Sequence, residues 1–219
     1  MDRNIAPSIL ACDILHLEDA IKKIENSGAK YVHIDIMDGV FVPNISFGMP
    51  IVSATRKITD LVLDVHLMIV EPWKYIKTFA ECGADILTLH YETLPQDKIQ
   101  EIISEIHENG MKAALSVKPG TDISVVYPYL DALDMVLIMT VEPGFGGQKY
   151  IADSNKKIMM LNNELALRGL SVDIEVDGGI NMTTIHSAAN AGANVFVLGT
   201  AFFTDPSFDA KKVLDELNS

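Results

Sequence analysis

The sequence predicts an α/β protein, a closed (β/α)8 TIM barrel occupying residues 1–219 as a single domain, on three observations. Strand-like apolar runs alternate with amphipathic helical stretches about eight times, the number that closes a parallel sheet into a barrel. Glycines stand between helical stretches and the strands that follow: Gly28, Gly83, Gly110, Gly169 and Gly192 sit where a helix would end in the left-handed conformation. Residues able to ligate a metal or carry a proton fall at the C-terminal ends of several separate strands. A barrel assembles its active site there, whereas an open doubly wound sheet would gather them at one crevice.

Taken in order, the strands are expected to end near Ser8, Asp35, His66, His90, Val117, Met139, Val176 and Leu198. Helical patterns run from Leu17 to Ser27, Pro72 to Cys82, Asp97 to Asn109, Lys149 to Arg168, Thr183 to Ala191 and Asp209 to Leu217. Three of the glycines open a repeated phrase, Gly28-Ala29-Lys30-Tyr31, Gly83-Ala84-Asp85-Ile86 and Gly192-Ala193-Asn194-Val195, which marks a βα repeat. No G-x-G-x-x-G follows the first strand, so the dinucleotide-binding version of the open sheet lacks its signature. No linker, low-complexity tract or charge block divides the chain.

A net charge of -13 argues against nucleic acid and against an anionic membrane surface as partners. An anionic ligand must therefore be held by local features. No apolar run approaches the ~20 residues of a membrane span, and Met1-Asp2-Arg3-Asn4 does not open a targeting segment, so a cytoplasmic protein is expected. Cys12 and Cys82 lack CxxC spacing and are expected to be reduced core residues.

Three strand ends carry chemistry at two-residue spacing: His33-x-Asp35-x-Met37, Asp64-x-His66-x-Met68 and Glu175-x-Asp177-Gly178-Gly179. Alternate side chains of a strand share a face, so each set points one way and the sets can converge. Two histidines and two carboxylates suffice to hold a divalent cation and leave carboxylates for proton transfer, because buried carboxylates need a counter-charge. Asp64 and Glu175 are candidates for orienting the ligands, and Asp38, beside Gly39, reads as a turn residue. Met37, Met68 and Met139 sit at comparable strand ends, where uncharged thioethers would exclude water from a reactive anion as readily as they would fill core space.

Glycine turns supply the other half of the expected site. Asp177-Gly178-Gly179-Ile180-Asn181 leaves the seventh strand and Gly199-Thr200-Ala201 the eighth. Backbone N–H groups at such turns bind phosphate, and the loops after strands seven and eight are where barrels commonly place it. Pro143-Gly144-Phe145-Gly146-Gly147-Gln148, after the sixth strand, reads as a lid closing over bound ligand.

Together with Pro7-Ser8-Ile9-Leu10 and Phe41-Val42-Pro43-Asn44, these segments closely resemble the ribulose-phosphate 3-epimerase family over essentially the whole chain. The resemblance implies an enzyme interconverting D-ribulose 5-phosphate and D-xylulose 5-phosphate with one bound divalent metal ion, zinc, iron(II), manganese or cobalt. It implies His33, Asp35, His66 and Asp177 as ligands, with Asp35 and Asp177 also the acid/base pair on opposite faces of an enediolate. Ser8 and His66 would contact the substrate near the metal, and Gly144, Phe145, Gly146 and Gly147 would close the site. Gly178, Gly179, Gly199 and Thr200 would hold the phosphate. The family also implies a homo-oligomer, most simply a dimer. Cys12 and Thr200 depart from its commonest wording, which has a small residue and a serine there; threonine keeps the hydroxyl. The alternatives are a hexulose-phosphate 3-epimerase, such as one acting on allulose 6-phosphate, and a non-catalytic phosphosugar-binding barrel. Decarboxylases and aldolases of similar fold generally use an active-site lysine; no lysine stands at the ends of the second, third or seventh strands, and Lys118, ending the fifth, is the only candidate.

Overall fold

The computed structural model describes residues 2–219, in which eight strands form one parallel sheet ordered β1-β8-β7-β6-β5-β4-β3-β2. The strands are β1 (Asn4–Pro7), β2 (Tyr31–Met37), β3 (Val62–Met68), β4 (Ile86–His90), β5 (Lys112–Val117), β6 (Met135–Met139), β7 (Asp173–Asp177) and β8 (Val195–Leu198). A parallel bridge between Ser8 and His33 joins the two ends of this order and closes the ring, so the expected (β/α)8 barrel is the fold observed.

Alternation along the strands explains why the ring closes. Val32, Ile34 and Ile36 of β2 and Leu63, Val65 and Leu67 of β3 are buried in the main core, shared with the surrounding helices. Each such side chain contributes about 1.5–3 kcal/mol by leaving water. The intervening residues face the bore. Its floor is a separate apolar cluster that includes Ala6, Ile86, Ala114, Met135, Val195 and Val197. With that floor plugged, the polar strand ends are confined to the opposite mouth.

The helices are α1 (Leu17–Ser27), α2 (Met49–Arg56), α3 (Ile76–Glu81), α4 (Ile99–Glu108), α5 (Ser154–Arg168), α6 (Thr184–Ala191), α7 (Thr200–Thr204) and α8 (Ala210–Asn218). The five glycines expected to terminate helices all have positive φ, between 67° and 120°. Several features differ from the sequence pattern, among them the short helix α7, which follows Gly199 where only a turn is expected. Helix α2 fills a gap for which no helix is expected; it is only 8 residues long, starts at a Pro-containing turn and carries two buried residues, too few to show a period. Helix α5 begins at Ser154, not Lys149, because Ile151 N–H donates to the Thr140 carbonyl (2.9 Å) and ties the preceding segment to the mouth. Between β5 and β6 the connection is a 3-10 turn, Ile123–Tyr129, with Pro128 inside it, where an α-helix would lose a hydrogen bond. Among the described residues no helix is long and apolar enough to cross a membrane. Cys12 and Cys82 are free and pack, partly buried, at the margin of the core.

Candidate active site

Register brings the ligating residues together. Parallel pairing of β2 with β3 sets His33 beside Asp64, Asp35 beside His66 and Met37 beside Met68, and pairing of β6 with β7 sets Met139 beside Asp177. From His33, Asp35, His66 and Asp177, one ligand atom each lies within 4.8 Å of all the others. Two imidazole nitrogens and two carboxylate oxygens at that spacing fit a divalent transition-metal ion, and the cluster could hold one.

The hydrogen bonds behind the ligands support that fit. His33 Nδ1 lies 2.5 Å from Asp64 Oδ2, which leaves Nε2, 3.3 Å from Asp35 Oδ1, directed into the cluster. His66 presents the other nitrogen: Nδ1 is 3.2 Å from Asp35 Oδ1 and 3.9 Å from Asp177 Oδ2, while Nε2 is 2.9 Å from His90 Nε2. Ser8 Oγ donates to Asp35 Oδ2 at 2.6 Å. A carboxylate behind one ligating histidine fixes its tautomer and orientation.

Without an ion the cluster is electrostatically divided. Burial pushes Asp35 up, but His33 and His66 outweigh it and hold the carboxyl well below the usual range. His33 moves the other way, since Asp64 and Asp35 outweigh the penalty of burial and raise it. Burial and the Asp35 charge push Asp177 up to about 6, although its side chain is 17% exposed at the mouth. The two carboxylates thus differ in proton affinity. Glu175 is fully buried, its Oε1 3.6 Å from His33 Nδ1; neither of its oxygens makes a hydrogen bond, and burial followed by the Asp64 charge raises it well above the ordinary carboxyl value.

A cleft of about 200 Å³ opens over the cluster. Ser8, Asp35, Met37, Met68, Met139 and Asp177 line it, as do Gly144, Phe145, Gly146 and Gly147 and the four proposed phosphate residues Gly178, Gly179, Gly199 and Thr200. Every expected substrate residue is therefore brought to one cleft except His66, which is fully buried beneath its floor, as is His33. Met37 and Met68 pack with Val42, and Met139 with Leu137 and Val141, so these thioethers are core fillers and cleft lining at once.

The glycine turns are sterically specified. Gly179 has φ 67°, and a Cβ there would come within 2.4 Å of the Tyr150 backbone nitrogen. At Gly178 (φ 118°) it would come within 2.3 Å of Val141. Thr140 Oγ1 pins this turn by donating to the Gly178 carbonyl at 2.5 Å. In the loop after β6, Gln148 Nε2 donates to the Glu142 and Phe145 carbonyls, and Asn44 Nδ2 donates to the Gly144 carbonyl at 2.8 Å. Asp38 is the turn residue expected: its Oδ1 accepts from the Val40 and Phe41 N–H groups and its Oδ2 from Val70 N–H on the next loop. Lys118 does not line the cleft; its ammonium sits 3.9 Å from the Phe41 ring centroid.

Two residues at the site escape the motif reading. His90 is fully buried, and Glu92 lies 3.2 Å behind it. Burial pushes His90 down to about 4, and Glu92, against its own burial, is held down to about 2 by donors from His90, Thr121 and Lys118. The signal was present: His90-x-Glu92 repeats the two-residue spacing of the other strand ends.

The profile of the Ribulose-phosphate 3 epimerase family matches residues 4–203. The ribulose-phosphate 3-epimerase of Bacillus subtilis (strain 168) is 46% identical over 214 residues, covering 97% of each chain. That of Synechocystis sp. is 43% identical over 210 residues, 95% of this chain and 91% of that protein. Among solved structures, a 3-hexulose-6-phosphate synthase from Salmonella typhimurium superposes with a TM-score of 0.72 over 98% of each chain at 18% identity, a likeness of fold. With the ligand cluster, the glycine turns and these relatives in agreement from β1 to β8, the chain belongs to the ribulose-phosphate 3-epimerase family.

Proposed function

We propose that the chain is a metal-dependent ribulose-phosphate 3-epimerase interconverting D-ribulose 5-phosphate and D-xylulose 5-phosphate. One observation carries the reading: carboxylates from β2 and β7, three steps apart around the ring, meet at two buried imidazoles at the foot of a cleft bordered by glycine turns. Inversion at C3 removes a proton next to the C2 carbonyl and returns one to the other face. Asp35 and Asp177 are the two proton carriers, their order set by the direction of reaction. His33, Asp35, His66 and Asp177 would hold a divalent ion, zinc, iron(II), manganese or cobalt, which would supply Lewis-acid stabilisation of negative charge on the substrate, a contribution of several kcal/mol.

The remaining residues position and shield. Asp177, raised to about 6 by burial and Asp35, takes and gives a proton near neutral pH. Ser8 orients Asp35 through its 2.6 Å hydrogen bond and contacts the substrate. Met37, Met68 and Met139 keep water from the enediolate without donating a proton to it. Backbone N–H groups of Gly178, Gly179, Gly199 and Thr200 hold the phosphate, and Gly144 to Gly147 close over the sugar with Phe145. His66 is fully buried and does not line the cleft, so its role would be to hold the ion rather than to touch the substrate. We read residues 1–219 as one catalytic domain, cytoplasmic, as two free cysteines suit a reducing compartment, and homo-oligomeric, most simply a dimer.

Hydrogen exchange at C3 tests the reading. The metal-loaded protein is expected to interconvert the two pentulose phosphates with incorporation of solvent deuterium at C3, and to lose both activities on metal removal. Full activity in protein shown by elemental analysis to be metal-free would refute metal dependence. Absence of C3 exchange in loaded protein would leave only a sugar-phosphate binder.

A further inference from the structure

We propose that His90 and Glu92 are positioning residues that fix the tautomer of His66, so that a lone pair on its Nδ1, not an N–H, faces Asp35 and Asp177. The inference rests on the reading of His66 as a metal ligand and adds two residues to that centre. Glu92 lies in a 3-10 turn, Tyr91–Thr93, immediately after β4. Its Oε1 accepts from the Lys118 N–H at 2.7 Å and from the Thr121 hydroxyl, and its Oε2 lies 3.2 Å from His90 Nδ1. An ionised carboxylate can only accept, so His90 Nδ1 carries a hydrogen.

The direction of the next bond follows. His90 is fully buried, its ring 4.7 Å from that of Phe41, and the Lys118 ammonium already occupies a position 3.9 Å from the same Phe41 ring. With its ring hydrogen on Nδ1 toward Glu92, His90 presents Nε2 as an acceptor. His66 Nε2, 2.9 Å away, must then be the donor. A histidine that ligates an ion through one ring nitrogen carries its hydrogen on the other, and for His66 that is Nε2. What remains at Nδ1 is a lone pair 3.2 Å from Asp35 Oδ1 and 3.9 Å from Asp177 Oδ2. Three electron-rich atoms facing one another are relieved by a cation. Were the relay reversed, Nδ1 would carry the hydrogen and satisfy Asp35 directly, and that hydrogen would compete with the metal ion.

The test uses full-length protein, stripped of metal and titrated with cobalt(II) against a competing chelator, with visible absorption reporting occupancy. The decisive variant is Glu92→Gln. Its amide oxygen can keep the bonds from Lys118 N–H and Thr121, which turns the NH2 group toward His90 and reverses the relay with little change of shape. Glu92→Gln is expected to bind cobalt about 10- to 100-fold more weakly while circular dichroism shows the fold retained. Imidazole 15N NMR of the metal-free protein is expected to move the His66 hydrogen from Nε2 to Nδ1, a change that a structural role would not produce. Thr121→Val removes one donor to Glu92 but not its hold on His90, and should leave cobalt affinity unchanged. The relay is overturned if Glu92→Gln binds cobalt as tightly as the unmodified protein, or if Thr121→Val weakens binding as much as Glu92→Gln. If the unmodified protein itself binds no cobalt, the metal centre fails and the relay with it; the two failures are distinguishable.

Discussion

Strands β2 to β4 bring side chains to the mouth of the barrel, whereas strands β6 to β8 bring mostly backbone. The first group ends in His33, Asp35, His66 and His90, all buried and each within hydrogen-bond reach of another imidazole or a carboxylate. The second ends in Asp177 and then in Gly178, Gly179, Gly199 and a glycine-rich loop, where there is no side chain to place. The contrast suits the two tasks proposed for them. A cation requires donors held at fixed angles, which burial and a second layer of hydrogen bonds provide. A phosphate requires exposed N–H groups and close approach, which a Cβ would obstruct. Asp177 is the exception among titratable groups, a side chain supplied by the backbone half, and it is also the most exposed of the four residues that could hold an ion.

Breaking that exception should give the largest effect. Asp177→Asn keeps the shape but removes the proton carrier, and should lower turnover by about 10²–10⁴ while the fold persists. Turnover and circular dichroism of metal-loaded protein would check it, and near-normal turnover would remove Asp177 from its role. A smaller effect should separate the halves. Gly179→Ala forces a side chain into φ 67° and against the Tyr150 backbone nitrogen, at a cost of about 1–2 kcal/mol, or roughly 5- to 30-fold. The loss should appear in the KM for the phosphosugar while cobalt affinity stays constant; the reverse result would erase the division of labour.

The smallest effect concerns acid stability of the side-chain half. Glu92 is held down to about 2 in the fold, so its stabilisation is complete above the ordinary carboxyl value of 4.5 and is lost as pH falls toward 2. His90, pushed down to about 4, stays uncharged in the fold, so below pH 6.5 the unfolded chain takes up a proton that the folded chain refuses. Urea unfolding at successive pH values should therefore show stability falling from about pH 6.5 downward, as far as these two groups contribute. Glu92→Gln should flatten the portion between 4.5 and 2. An unchanged slope there would mean that the bonds from His90, Thr121 and Lys118 do not hold the carboxylate.

Much of the site could be read in one dimension because strand geometry has a period of two. His33-x-Asp35 and Asp64-x-His66 must each share a face, and a face of otherwise apolar strands leads into the bore. Glycines after helices and strands were equally legible, since a positive φ excludes most other residues. His90 and Glu92 carried the same spacing, but His90 bears its meaning only through His66, 24 residues away, and Glu92 lies off the strand in a turn. Helix α2 was invisible for a simpler reason: two buried residues in eight do not establish a period.

By itself the sequence determined the barrel, the residues at its mouth and the family, because each depends on local periodicity, turn chemistry or a motif read along the chain. Only the tertiary structure decided which nitrogen of each histidine enters the cluster, that His33 and His66 lie beneath the cleft, and that His90 backs His66. Those facts depend on register between strands and on distances of a few ångströms, which residues far apart in the chain acquire only when the ring closes.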